Sequence, residues 1–125
     1  MSTETVEKFE YFLSEKQQFL VVSLVGTLTK ATHGEIQKCE EAILASSAKC
    51  IVLNFHEFKG MDLTGIRPLA QLQKCIREKP AQLRLCFVNT DIYSMMDRVG
   101  AVRAQEICED LVQALKSFDT PSSQP

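Results

Sequence analysis

No apolar run in this chain approaches the roughly 20 residues a membrane-spanning helix needs, so direct membrane insertion is not expected. The segment Met1 to Glu10 is too polar for a secretory signal, and a cytoplasmic protein is expected. No segment is dominated by basic side chains. With 14 lysines and arginines against 16 acidic residues, the chain lacks the electrostatic footprint of a nucleic-acid binder. Only two histidines occur, His33 and His56, and no ligand cluster surrounds either, so neither a metal site nor a cofactor is expected. His33, in the first turn of an expected helix, reads as a solvated residue. There is no P-loop, no G-x-G-x-x-G and no nucleophile arranged with a base, which argues against an enzyme. The cysteines Cys39, Cys50, Cys75, Cys86 and Cys108 are odd in number, form no C-x-x-C pair and sit inside apolar patterns. They read as reduced, mostly buried residues rather than a disulfide framework.

What remains is the pattern of one domain, residues 1–118, followed by a Ser/Pro/Gln-containing tail at 119–125 expected to be flexible. Alternation of Phe9, Tyr11 and Leu13 with Lys8, Glu10 and Phe12 predicts a half-exposed edge strand over Val6–Leu13. Residues 14–18 read as a hairpin loop. Phe19–Val25 is nearly all apolar and predicts a covered strand ended by Gly26. Thr32-His33-Gly34-Glu35 has capping-box spacing, and Ile36, Cys39 and Ile43 follow on one helical face. Cys50–Phe55 and Leu83–Val88 are further strands. Ile66, Leu69, Leu72 and Ile76 predict a helix that Lys79-Pro80 stops. Asn89-Thr90-Asp91 caps a short helix through Ile92, Met95, Met96 and Val99, closed by Gly100. Ala101–Arg103 is a candidate brief strand. The spacing of Ala104, Ile107, Cys108, Leu111, Val112 and Leu115 predicts the most regular amphipathic helix in the chain. The order β-β-α-β-α-β-α-(β)-α implies a mixed sheet of four to five strands with about four helices, an α/β fold.

The stretch Lys59-Gly60-Met61-Asp62-Leu63-Thr64-Gly65-Ile66 joins a strand to a helix and places an acid, a hydroxyl and a glycine together. Asp and Thr are preferred helix caps, and capping is the commoner role for such residues. Pro68 is tolerated only near a helix start, which predicts that the helix begins at Thr64 or Gly65 with Thr64 at the cap. A phosphate on Thr64 would meet unpaired N–H groups and the positive end of the helix dipole.

Met61-Asp62-Leu63-Thr64-Gly65-Ile66 resembles the apolar-Asp-Ser-Ser/Thr-Gly-apolar turn of the STAS domain, the family of bacterial anti-sigma-factor antagonists and of related domains in transporters and signalling scaffolds. Val21 to Leu28, with its Gly-x-Leu ending, Ile51 to Phe55, and Leu83 to Asn89 with the helix ending at Gly100 are similar to the family in the same order. The resemblance spans about Phe9 to Leu115. It implies a STAS-like fold and a protein–protein switch. In the switch so implied, an anti-sigma factor that is also a serine/threonine kinase would bind the unphosphorylated form, and phosphorylation of Thr64 would release it. The implied contact surface is Thr29, Lys30, Gly60, Met61, Asp62, Leu63, Thr64, Gly65 and Arg67. Three positions depart from the usual pattern: Thr29 where an acid is common, Asn54-Phe55 where an Asp often ends the strand, and Leu63 where antagonists usually carry Ser. These favour, as an alternative, a STAS adaptor without phosphorylation, partnered by a transporter ATPase or by scaffold STAS proteins. A small-ligand or nucleotide-binding module ranks last.

Overall fold

The computed structural model describes residues 8–118. The expectations for residues before Lys8, including the start of the first strand at Val6, and for the tail 119–125 lie outside that range. The described chain builds one mixed sheet of β1 (Phe9–Lys16), β2 (Phe19–Leu28), β3 (Cys50–Asn54), β4 (Phe58–Met61), β5 (Gln82–Cys86) and β6 (Ile107–Cys108). Its helices are α1 (His33–Ala45), α2 (Leu63–Arg77), α3 (Thr90–Arg98) and α4 (Leu111–Lys116). The main path runs β1-β2-β3-β5-β6, and β4 pairs with β2 off that path. The β1–β2 hairpin is antiparallel and the other pairings are parallel.

The larger core lies between the sheet and α1, α2 and α3, with Val22, Leu24, Ile36, Ile43, Leu53, Leu69, Leu72 and Met96 fully buried. The short α4 covers the opposite face, where Ala114 and Phe118 pack with Cys50, Val52, Cys86 and Cys108. The helices therefore gather on one face, except for α4. All five cysteines are free, and four are buried. Burial pushes the Cys39 thiol up to about 12, with the Glu40 carboxylate adding to it, and burial does the same for Cys86. Thiols held so high are poor nucleophiles at neutral pH.

Several boundaries differ from those expected, each for a physical reason. β1 continues to Lys16 because Gln17 takes a left-handed φ of 57°, which closes the hairpin in two residues rather than five. β2 does not stop at Gly26. That glycine (φ 96°) pairs with Phe58, and a register shift that leaves Lys59 extra on β4 then sets Thr27 and Leu28 opposite Gly60 and Met61. β4 itself went unexpected, since Lys59-Gly60 breaks any apolar alternation; Gly60 takes φ 154° there. Thr32 precedes α1 but makes no side-chain cap to it. Its hydroxyl serves the preceding 3-10 turn, where Thr29 and Thr32 cap each other's backbone. Val99 is exposed rather than core. Ala101–Arg103 is not a strand. The regular helix expected from Ala104 is instead a 3-10 turn, the strand β6 and the short α4. The open edge of β5 takes Ile107 and Cys108 opposite Leu85 and Cys86, and Asp110 then starts a fresh helix by accepting from Gln113 N at 2.8 Å. Ladder hydrogen bonds outweigh the helical spacing.

Candidate functional site

The end of β2 builds the tip of the molecule. Leu28 is fully buried, pairs with Met61 of β4, and its carbonyl accepts from Asp62 N at 3.2 Å. Asp62 is thereby fixed in extended backbone (φ −99°, ψ −173°) as the N-cap of α2. Its Oδ1 accepts from Thr64 N at 3.0 Å, from Gly65 N at 2.9 Å and from the Thr64 hydroxyl at 2.6 Å. One carboxylate oxygen thus holds both the helix start and the hydroxyl. Gly65 is there for close approach. A Cβ on it would overlap the Leu28 carbonyl oxygen and stand 2.8 Å from the Leu28 carbonyl carbon and 2.9 Å from Leu28 Cβ. With the helix pressed so tightly onto β2, Leu63 is turned outward and is 76% exposed, the most exposed large apolar side chain among the described residues.

The helix therefore starts earlier than Pro68 suggested: Asp62, not Thr64, is the cap, and Pro68 falls in the second turn of α2. Proline has no N–H for the carbonyl four residues before it, which here is Thr64. His33 supplies the missing donor, its Nε2 lying 3.2 Å from Thr64 O. A carbonyl can only accept, so Nε2 carries the proton in this contact. His33 is exposed, as expected, yet it ties the start of α1 to the tip. Sequence reasoning missed that role, although a proline four residues after Thr64 is a readable signal of an unfilled carbonyl.

The Thr64 hydroxyl bond holds the Asp62 carboxyl below the usual carboxylate value; slight desolvation opposes this, and the Gly65 and Thr64 N–H groups add to the lowering. A depressed folded-state pKa means that the stabilisation is present above the unfolded value, near 4, and is lost as pH falls through the folded pKa. We expect an NMR titration to place the Asp62 midpoint below the ordinary carboxylate value, and Thr64→Val to raise it. A wild-type midpoint at or above the ordinary value, or no movement on substitution, would contradict this geometry.

Of the other residues singled out, Lys30 and Arg67 are exposed, and Gly60 and Met61 are half-buried. Arg67 lies three residues after Thr64 on α2 and lines a shallow groove of about 370 Å3 between α1 and α2, together with His33, Gln37 and Gln71. Thr29 is buried, and its hydroxyl accepts from Ala31 N, so it shapes the surface from beneath. Asn54 is not at the tip. It lies level with Ser23 on β2, about 16 Å along the strand from Leu28, where it accepts from His56 N at 3.0 Å and turns the chain toward β4.

A sequence model of the STAS domain matches residues 13–114. The chain belongs to the STAS domain family. A curated relative, the anti-sigma F factor antagonist of Paenibacillus polymyxa, is 27% identical over 104 residues, which cover 82% of this chain and 89% of the relative. Among solved structures, the fold is similar to the phosphorylated form of the Bacillus cell fate determinant SpoIIAA, with a TM-score of 0.65 at 16% identity over 85% of this chain and 96% of that one. It is also similar to part of the murine anion transporter Slc26a9, with a TM-score of 0.68 at 15% identity over 89% of this chain and 22% of that one. The mixed α/β sheet and helices described above are thus a STAS fold. Among the described residues, no helix is long and apolar enough to cross a membrane, and no group of three or more His, Cys, Asp or Glu could hold a metal ion.

Proposed function

We propose that this STAS domain is an anti-sigma-factor antagonist, a non-catalytic switch. It binds an anti-sigma factor with serine/threonine-kinase activity through its tip and is released when Thr64 is phosphorylated. The observation that carries this reading is the exposed Thr64 hydroxyl, held rigidly beside the outward-facing Leu63 at the start of α2. The name of the Paenibacillus relative supports the same reading.

In the unphosphorylated state, Leu63 offers an apolar anchor, and Lys30, Asp62 and Arg67 give the contact a polar rim. Phosphorylation replaces the O–H donor with a group of about −1.5 to −2 charge. The ester oxygen can no longer donate to Asp62 Oδ1, which stood 2.6 Å away, and the two anionic groups repel. The Thr64 side chain must then swing outward, into the space a partner occupies. The Thr64 and Gly65 N–H groups are not unpaired, as the sequence suggested, but are held by Asp62 Oδ1. The positive end of the α2 dipole and the Arg67 side chain, three residues on, are the counter-charges, so α2 survives while the interface is lost.

The exposure of Leu63 also favours a second reading, a permanent apolar contact with a transport complex or signalling scaffold, in which Thr64 stays unmodified. Affinity capture from the source cell, with the wild type and Thr64→Glu as baits and mass spectrometry of native Thr64, separates the two. The switch predicts a histidine-kinase-like ATPase retained by the wild type and lost with Thr64→Glu, and a phosphorylated fraction of the native protein. A transporter ATPase or scaffold retained by both baits, with Thr64 unmodified, supports the adaptor and contradicts the switch.

A further inference from the structure

Sheet edges expose unpaired N–H and C=O groups, and proteins usually blunt them with short strands, prolines or bulges. β6, two residues long, is blunted in this way, but β1 is eight residues long, has no proline and pairs with β2 in unbroken register. Thr27 N donates to Lys8 O at 2.8 Å, so the even-numbered residues of β1 direct their backbone groups toward β2. Phe9, Tyr11, Leu13 and Glu15 therefore direct theirs outward. Among the described residues no strand pairs on this side of β1, and large apolar side chains flank the edge on both faces of the sheet: Leu13 is 42% exposed on the α1 face and Phe12 is 57% exposed on the α4 face.

We propose that β1 is a self-association surface, on which a second copy of this chain adds its own β1 antiparallel about a twofold axis through Leu13. Charge complementarity selects the occupant and the register. Centred on Leu13, Glu10 of each copy faces Lys16 of the other, and both are exposed side chains with no ion-pair partner among the described residues. Leu13 meets Leu13 of the second copy, and Tyr11 meets Glu15, as hydrogen-bonded pairs. Phe12 lies diagonal to Phe12 of the second copy, about 7–8 Å away and within reach of an aromatic ring. Centring on Phe12 instead would set Lys8 against Lys16, and centring on Tyr11 would set Glu10 against Phe12. The join leaves the tip free. Leu13 is level with Val22, about 20 Å along β2 from Leu28, so a dimer displays two Thr64 tips.

Sedimentation of the full chain over a concentration series tests this, with Glu10→Lys, Lys16→Glu and the double exchange compared at low salt, and circular dichroism confirming that each variant is folded. The expected result is a reversible dimer that weakens about tenfold or more in each single variant and returns to within about threefold of wild type in the double exchange. A monomer at every concentration, a dimer indifferent to both single changes, or a double exchange no better than the singles would overturn the proposal.

Discussion

Glu106→Ala should destabilise the protein by about 3–5 kcal/mol, the cost of leaving the Arg77 guanidinium, whose side chain is only 14% exposed, without its partner. Glu106 is 7% exposed and meets Arg77 in a two-point pair, Nε to Oε2 at 3.0 Å and Nη2 to Oε1 at 2.6 Å. The same Arg77 Nη2 donates to Ala101 O at 2.8 Å, which also accepts from Gln73 Nε2 at 3.0 Å. This cluster fastens the C-terminal half of α2 to the segment that leads into β6. Against a total stability of about 5–15 kcal/mol, the loss would be visible directly in urea unfolding. Exchanging the pair together, Arg77→Met with Glu106→Leu, should cost much less than Glu106→Ala, because no charge is then stranded. A loss under about 1 kcal/mol for Glu106→Ala would show that the pair does not fasten α2.

Gly65→Ala is the second large effect, expected at about 1–3 kcal/mol or more because a methyl group there meets backbone rather than a yielding side chain. Relief requires the start of α2 to lift off Leu28, which weakens the Asp62 N to Leu28 O bond and moves Leu63 and Thr64 with it. Amide shifts of Leu63 and Thr64 should change along with the unfolding midpoint, and partner binding should fall by more than the stability loss alone explains. Gly34→Ala is the control. It sits in the first turn of α1 with open space around the added carbon, and should be neutral or stabilise by up to about 1 kcal/mol. Equal effects at the two glycines would contradict the close approach of α2 to β2.

The contrast between these glycines shows how much of the site was legible in the sequence. Asp62, Thr64 and Gly65 stood out as a cluster because caps and strand-to-helix turns have a composition of their own. Their division of labour did not, since it depends on how far Leu28 lies from the helix axis. Pro68 misled for a similar reason. Its missing N–H normally disfavours a place beyond the first turn, and here the His33 ring, from another helix, meets the carbonyl that the proline leaves without its usual donor. Strands β2, β3 and β5 followed from short apolar runs, and helices α1, α2 and α3 from apolar residues at helical spacing. β4 and β6 did not, because each exists through pairing with a neighbour already in place rather than through a pattern of its own. At the C-terminal end, the helical spacing of Ile107 and Cys108 lost to the hydrogen-bonding edge of β5.

The most direct measurement of the central claim is a calorimetric titration of the captured anti-sigma factor against two forms of this chain, unmodified and phosphorylated at Thr64, with thermal unfolding of both forms recorded alongside. The switch predicts at least a tenfold weaker affinity for the phosphorylated form, or about 1.4 kcal/mol, with the folded structure retained. Equal affinity for the two forms would contradict it.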